Sequence, residues 1–111
     1  MPAYLVAEHL IADAERFEAY RRKVAPMIER YGGRYLTRGG SHRVLDGAWH
    51  PTRAVIIEFP DMAALMRWYE SPEYQPLIAL RRGAGTDVLL AIDGVPGGAA
   101  AATAGEGETA S

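Results

Sequence analysis

The stretch RAVIIEF, residues 53 to 59, is the clearest strand signal in the chain and decides its fold class. Its β-branched residues favour a pleated, half-buried surface, and Pro60 and Asp61 then end it. Neighbouring side chains in a strand point to opposite faces, and both faces are apolar here. The sequence therefore predicts a strand inside a sheet that is covered on both sides.

Strands and a helix with a similar apolar pattern flank this stretch. Alternation predicts strands at 3–10 and 86–93. Asp13 is placed to cap an amphipathic helix over 14–31, and Pro26 inside it predicts a bend, because proline removes one backbone hydrogen bond.

The segment before the central strand has two possible arrangements. RYLT (34–37) and HRVLD (42–46) both have strand composition, and residues 38–40, Arg-Gly-Gly, separate them. They form either one bulged edge strand or a short hairpin. Trp49 follows in a loop, where it closes a pocket or contacts a partner; we prefer the contact because tryptophan is enriched at interfaces.

The stretch WYESPEYQPLIALRR, residues 68 to 82, joins two predicted helices. Asp61 can cap the first, whose apolar residues keep helical spacing up to Tyr69. Ser71 as N-cap and Pro72 at the first helical position then predict a second short helix over 73–82.

The resulting order is strand, helix, strand, strand, helix, strand. Right-handed crossovers and short connections favour an α+β fold, the ferredoxin-like βαββαβ sandwich, with a four-stranded antiparallel sheet and helices on one face. The helices cover one face only, although both faces carry apolar side chains. We therefore predict that a second copy covers the other face, which gives a two-fold homodimer with a barrel-like interior.

Composition bounds the remaining possibilities. The 111 residues form one predicted domain, 1–95, followed by a Gly/Ala-rich tail, 96–111, which cannot bury enough surface to order and is predicted to be disordered. Without cysteine there is no disulfide or thiolate site. A net charge of −2 indicates no basic surface for binding nucleic acid. No apolar run is long enough to predict a membrane-spanning segment. We expect a cytoplasmic protein.

Several short blocks occur together at a specific spacing. They are Tyr31-Gly32-Gly33-Arg34-Tyr35, Arg38-Gly39-Gly40, Glu58-Phe59-Pro60, the run from Trp68 to Gln75, Arg81 and Asp93-Gly94. Over about residues 2 to 95 the chain thereby resembles the DUF1330 family, whose name records an unknown function. The resemblance implies the dimeric α/β-barrel version of the ferredoxin-like fold. Related families of that fold include cofactor-independent monooxygenases, haem-degrading enzymes and small-molecule isomerases or lyases.

Five residues are candidates for binding a small polar or carboxylated ligand: Arg38, Tyr69, Ser71, Tyr74 and Arg81. The exposed amides of a helix start bind carboxylate or phosphate, with an arginine as counter-charge. Phenols offer an apolar body with one polar tip that orients a ligand. Helix capping explains Ser71 as well, and core packing explains the tyrosines, including Tyr20, as well as Trp68.

Two residues are candidates for moving a proton, His42 in a loop and Glu58 at a strand end. The simpler explanations are a solvent-exposed histidine and an ion pair with Arg34 or Arg53. Glu8 is predicted to lie about 10 Å from Glu58, which rules out a shared proton. His42 and Asp46 also depart from the family pattern, so histidine chemistry would be specific to this chain.

No cofactor or metal is expected. The three histidines have no metal-binding spacing, and the glycines match neither a dinucleotide nor an ATP motif. Two hypotheses follow: a cofactor-independent enzyme, with Arg38 and Arg81 holding an anion and His42 or Glu58 moving a proton, or a non-catalytic ligand-binding or structural homodimer. A strongly raised carboxyl pKa or a lowered histidine pKa inside a cavity shared with Arg38 and Tyr74 favours the enzyme, and a cavity filled by aromatic rings favours the scaffold.

Overall fold

The computed structural model describes residues 1–96 and has a four-stranded antiparallel sheet packed against three helices. In chain order the elements are β1 (Ala3–Ile11), α1 (Ala14–Arg30), β2 (Arg34–Arg38), β3 (Arg53–Phe59), α2 (Met62–Tyr69), α3 (Gln75–Ala84) and β4 (Gly85–Asp93). The strand order is β2-β3-β1-β4, which confirms the predicted ferredoxin-like α+β fold. Apart from Pro96, the predicted tail lies outside the described residues.

The first helix, α1, begins and packs as its sequence indicates. The Asp13 side chain accepts a hydrogen bond of 3.0 Å from the Arg16 amide, which satisfies one of the free donors of the first turn. The side chains of α1 that recur at three- and four-residue steps are buried, namely Phe17, Tyr20, Val24, Met27 and Ile28. One face of α1 is therefore part of the core.

The connection between β2 and β3 corrects one prediction. HRVLD was predicted as strand, but β2 ends at Arg38 and residues 39–52 form an irregular loop that belongs to no strand of the sheet. Gly39 has a φ of 73°, a left-handed conformation that turns the chain out of the sheet. Leu45 of this segment is 90% exposed and packs against no strand of the sheet. β2 is an edge strand with a bulge between Tyr35 and Thr37, but neither predicted arrangement is correct, because both required HRVLD to be strand.

The start of α3 corrects a second prediction. The helix begins at Gln75 and not at residue 73, and Ser71 closes the preceding turn instead of capping the helix. The Ser71 hydroxyl donates to the Trp68 carbonyl at 2.8 Å and accepts from the Tyr74 amide at 3.2 Å. Pro76 falls in the first turn of α3, where its missing N–H costs no helical hydrogen bond.

The core lies between the helices and one face of the sheet. The alternation predicted for the first strand is confirmed, because Ala3, Leu5, Ala7 and His9 are buried. The largest fully buried side chains come from both layers, namely Trp68, Tyr74, Phe59, Ile28 and Leu65. Burial of this apolar surface supplies most of the free energy that stabilises the fold.

The opposite face of the sheet is apolar and open. Val88, Leu90 and Ile92 of β4 are 58%, 54% and 50% exposed. On β1, Val6 is paired with Leu90 on one side and with Ile56 of β3 on the other, so the apolar surface crosses three strands. We call these five residues the open-face patch.

Candidate functional site

Five side chains form a continuous hydrogen-bonded chain between the helices and the sheet. His9 Nδ1 lies 2.6 Å from Asp87 Oδ1, and Arg81 Nε donates to Asp87 Oδ2 at 3.1 Å. Arg81 Nη1 donates to the Tyr74 hydroxyl at 2.7 Å, and that hydroxyl lies 2.8 Å from the hydroxyl of Tyr20. We call this set the buried polar chain.

Strand register and a direct helix-to-strand junction position these groups. His9 of β1 and Asp87 of β4 are opposite each other in the antiparallel pairing, so their side chains share the helix-covered face. Arg81 lies in the last turn of α3, and β4 begins at Gly85 with no loop between the two elements. The Arg81 guanidinium is thus held beside Asp87, the third residue of β4.

The charges in the buried polar chain compensate each other. The side chains of Arg81 and Asp87 are only 4% and 5% exposed, and each provides the counter-charge of the other. Taking two charges out of water is costly unless they pair and their remaining hydrogen-bonding groups are satisfied. Tyr74 and His9 satisfy those groups at the two ends of the pair.

His9 is held in its neutral form. Burial lowers the pKa of His9 below its ordinary value of 6.5, and the hydrogen bond with Asp87 opposes this effect only in part. A neutral imidazole next to a carboxylate carries its proton on the nitrogen that faces the carboxylate, here Nδ1. Nε2 then presents a lone pair, and none of the side-chain hydrogen bonds within residues 1–96 uses it.

Both phenols of the buried polar chain keep their protons. Burial raises the pKa of Tyr20 and of Tyr74 above the ordinary value of 10.0. At neutral pH each hydroxyl therefore remains able to donate one hydrogen bond and to accept others.

A small cavity lies beside the buried polar chain, between α1 and the sheet. Its volume is about 30 Å³, room for one or two water molecules. Four uncharged side chains with polar atoms, His9, Tyr20, Tyr35 and Trp68, line it together with apolar residues of the core. Arg21 and Arg53 also line it, so cationic groups adjoin a mostly apolar space.

Arginines gather where this cavity meets β2. The Arg53 guanidinium lies 5.5 Å from the ring centre of Phe17 and donates to the Arg38 carbonyl at 3.4 Å. Burial, followed by the positive charge of Arg21, lowers the pKa of Arg53. Arg21 is paired with Glu18, whereas neither Arg38 nor Arg53 has a carboxylate partner in the described part of the chain. We call Arg21, Arg38 and Arg53 the arginine cluster. Two of its three positive charges, those of Arg38 and Arg53, have no carboxylate beside them in residues 1–96.

The structure brings four of the five predicted ligand-binding residues together, because Tyr69, Ser71 and Arg81 all contact Tyr74. Tyr74 and Arg81 are joined by a hydrogen bond, but both are buried, and Arg81 is neutralised by Asp87. Ser71 is buried in its turn, and Tyr69 is half-buried with its carbonyl bonded to Gln75. Arg38 lies apart from them on β2, so Arg38 and Arg81 do not face one ligand.

The two residues predicted to move a proton are not in the cavity. His42 lies in the exposed 39–52 loop, with Nε2 3.1 Å from the Pro51 carbonyl oxygen. Glu58 accepts hydrogen bonds from Arg34 Nε at 2.6 Å and from the Tyr4 hydroxyl at 3.3 Å. The hydrogen bond from Arg34 lowers the pKa of Glu58, which makes it a weaker base.

Sequence reasoning missed His9 and Asp87 as site residues. A signal was present, because His9 shares its face of β1 with Ala3, Leu5 and Ala7, and Asp87 shares a face of β4 with Leu89. A polar residue at a core position needs a buried partner. Only the register of β1 on β4 shows that each is the partner of the other.

Lowering the pH below about 6.5 is expected to destabilise the protein through His9. The unfolded chain binds a proton on His9 at the ordinary pKa, whereas the folded chain binds it only at lower pH. The free energy of unfolding therefore decreases as the pH is lowered, by up to about 1.4 kcal/mol per pH unit in that window. Urea unfolding of wild type and His9→Gln measures this slope. His50→Gln, in the exposed loop, should keep the slope, and a slope unchanged in His9→Gln would contradict the assignment.

Neither metal ligation nor membrane insertion is indicated by residues 1–96. No three His, Cys, Asp or Glu side chains of this part of the chain come together to hold a metal ion. None of its helices is both long and apolar enough to cross a bilayer.

Solved structures share this fold. A protein of unknown function from Rhodopseudomonas palustris is 23% identical with a TM-score of 0.71, over 84% of this chain and 82% of that one. SnoaB, a cofactor-independent oxygenase from Streptomyces nogalater, is 17% identical with a TM-score of 0.60, over 84% and 92%. A dimeric ferredoxin-like protein of unknown function from Jannaschia sp. CCS1 is 11% identical with a TM-score of 0.58, over 85% and 100%. At these identities the likeness shows the fold alone.

Sequence comparison identifies the family. No protein with a curated description matches the chain. The family model for DUF1330, a domain of unknown function, matches residues 2–95, nearly all of the described part. The resemblance seen in the sequence blocks is thereby confirmed, and the chain belongs to the DUF1330 family.

Proposed function

We propose that this protein is a cofactor-independent enzyme that acts on a small carboxylated metabolite, with His9 as the group that moves a proton. One observation carries the proposal: a buried, neutral histidine, oriented by a carboxylate, lines a cavity with its second nitrogen unpaired within residues 1–96. A fixed tautomer with a free lone pair is what a general base needs. His9 thus takes the role that the sequence suggested for His42 or Glu58.

Asp87 and Arg81 orient His9 for its proposed role. Asp87 fixes the ring through Nδ1 and favours the imidazolium that forms when Nε2 takes up a proton. Arg81 holds Asp87 in place, and Tyr74 holds Arg81. Arg81 and Tyr74 are therefore positioning residues, and not ligand-binding residues as the sequence suggested.

The arginine cluster is the proposed site for the carboxylate of the metabolite. Arg38 keeps its predicted role, and Arg53 replaces Arg81 as its companion, since Arg81 is already paired. A carboxylate there would compensate a cluster whose mutual repulsion contributes to the lowered pKa of Arg53. Arg53 and His9 line the same cavity, so a ligand held at the cluster would reach His9 once this space of about 30 Å³ widens around it.

A non-catalytic function is the second candidate. With about 30 Å³, the cavity is largely filled by the surrounding side chains, which favours a structural or ligand-binding homodimer. The lowered pKa of His9 supports the enzyme, but neither Arg38 nor Tyr74 lines the cavity beside it, so only part of the criterion set from the sequence is met. SnoaB shares the fold and is described as a cofactor-independent oxygenase, which is compatible with catalysis on this scaffold without a cofactor.

We also propose that the open-face patch is covered by a second copy of the chain. Val88, Leu90 and Ile92 are each at least half exposed, although aliphatic side chains in a strand are usually buried. The same patch on a second molecule is complementary to it in a two-fold interface. The related protein from Jannaschia is described as dimeric.

The anion site can be tested by thermal unfolding with acetate, oxalate and pyruvate. A ligand that binds the folded state alone stabilises it by about 2.7 kcal/mol at a hundred times its dissociation constant. We expect at least one carboxylate to raise the Tm of wild type and to raise that of Arg53→Ala much less. Arg67→Ala, which removes an exposed arginine of α2, is the matched control. Equal shifts in wild type and Arg53→Ala would refute the site.

A further inference from the structure

We infer that the open groove between α1 and β2 binds an aromatic monocarboxylate, with Arg38 pairing with its carboxylate and Tyr35 lying against its ring. This inference rests on the proposed anion site and names the substrate class of that site. The groove, and not the small cavity beside His9, then determines which ligands are accepted.

The α1–β2 groove has the room that the cavity lacks. Its volume is about 470 Å³, within the range of about 300–1,000 Å³ that is usual for small-molecule sites. α1 contributes an apolar wall of Ala25, Pro26 and Ile28, and β2 contributes Tyr35 and Arg38. A molecule with one aromatic ring therefore fits there without any rearrangement of the core.

Arg38 is the free cation of the groove. Its guanidinium lies 4.8 Å from the centre of the Tyr35 ring, and this attraction holds it at the groove. Its side chain takes part in none of the hydrogen bonds and ion pairs among residues 1–96. Arg34, which also lines the groove, is already paired with Glu58 at 2.6 Å. A ligand carboxylate can therefore accept two parallel hydrogen bonds from Arg38.

Tyr35 connects the groove with the arginine cluster. It lines both the groove and the small cavity, and it is half-buried, so part of its ring is open. Burial raises the pKa of Tyr35, and the positive charges of Arg38, Arg53 and Arg21 oppose that rise, so all three arginines lie around this phenol. An aromatic ring packed on Tyr35 gains a stacking contact while its carboxylate stays at the cluster.

The two ends of the groove carry opposite charges. α1 and β2 run in opposite directions and are joined by the short turn at 31–33. Glu29 therefore lines the groove near the turn, and Arg38 lines it near the other end. Glu29 forms no ion pair within residues 1–96. A ligand whose carboxylate is at Arg38 points its other end towards this carboxylate, which repels a second negative charge.

A series of matched ligands tests the groove by isothermal titration calorimetry. Phenylacetate has the ring and one charge, acetate lacks the ring, phenylacetamide lacks the charge, and para-carboxylated phenylacetate has a second charge. We expect phenylacetate to bind at least about ten-fold more tightly than each of the other three. NMR spectroscopy should show contacts between its ring protons and the methyl groups of Ala25 and Ile28.

Two groove variants have matched controls elsewhere in the chain. Ala25→Leu fills part of the groove and Arg38→Gln removes its charge, so each should weaken phenylacetate binding by roughly ten-fold or more. Ala63→Leu on the exposed face of α2 and Arg43→Gln in the 39–52 loop should leave it unchanged. Phenylacetate binding that is insensitive to both groove variants overturns the inference, and so does equal affinity for acetate.

Arg53→Ala separates this inference from the proposed function. If acetate stabilises wild type but not Arg53→Ala while the ring adds no affinity, the anion site stands and the groove is refuted. If phenylacetate binding depends on Ala25 and Arg38 but not on Arg53, the groove stands, and Arg53 loses its proposed role in holding the carboxylate.

Discussion

Replacing Arg81 with methionine is expected to lower the free energy of unfolding by about 3–5 kcal/mol, because it leaves Asp87 as an uncompensated buried charge. Methionine keeps much of the unbranched side chain, so the loss comes mainly from the charge and its hydrogen bonds. The substitution removes two hydrogen bonds that Arg81 donates, one to Asp87 at 3.1 Å and one to the Tyr74 hydroxyl at 2.7 Å. Urea unfolding followed by circular dichroism measures the change.

The neighbouring residue provides the control for this prediction. Arg82→Met removes an exposed arginine from the same turn and should change stability by less than about 0.5 kcal/mol. Arg81→Met combined with Asp87→Asn removes both charges and should recover part of the loss. Equal effects of the two arginine substitutions would show that the buried pair does not stabilise the fold.

Replacing Leu90 with glutamate is expected to weaken self-association by roughly 10³-fold, about 2 kcal/mol for each copy. Leu90 lies opposite Val6 in the middle of the open-face patch, so a two-fold interface would bury one carboxylate from each molecule. Light scattering and sedimentation velocity at micromolar concentration measure the mass of wild type and variant.

A second leucine gives the matched comparison for the dimer. Leu45→Glu makes the same change at a side chain that is 90% exposed in the 39–52 loop, and it should leave the mass unchanged. A wild-type protein with the mass of one chain would contradict the proposed dimer. So would a Leu90→Glu protein that remains dimeric.

The sequence predicted the fold well where a local pattern is sufficient. The alternation in β1 and the spacing in α1 placed the buried residues correctly, because each pattern depends on neighbours within one element. The strand proposed at 42–46 was wrong, because strand composition cannot say whether a partner strand is available. The start of α3 was misplaced by two residues, because Ser71 can close a turn with the same hydrogen bonds that cap a helix.

The site depends on contacts that local patterns do not contain. His9 and Asp87 are separated by 78 positions, and only the register of β1 on β4 brings them together. Arg81 and Tyr74 were singled out from the sequence, but as groups open to a ligand. Their burial follows from the packing of α3, which the sequence did not resolve. Arg34 and Arg53 were both named as possible ion-pair partners of Glu58, and Arg34 is the one that pairs with it.

The junction between α3 and β4 restricts where the length of this chain can vary. Ala84 ends the helix, Gly85 begins the strand, and a Cβ on Gly85 would collide with the Leu10 carbonyl oxygen. The Ala84 carbonyl also accepts the amides of Ala12 and Asp13, which anchors the entry to α1. Because strand side chains alternate, one added residue at this junction would move Asp87 to the open face and away from His9. Insertions and deletions can be absorbed in the 39–52 loop, whereas the spacing from Arg81 to Asp87 has only one workable length.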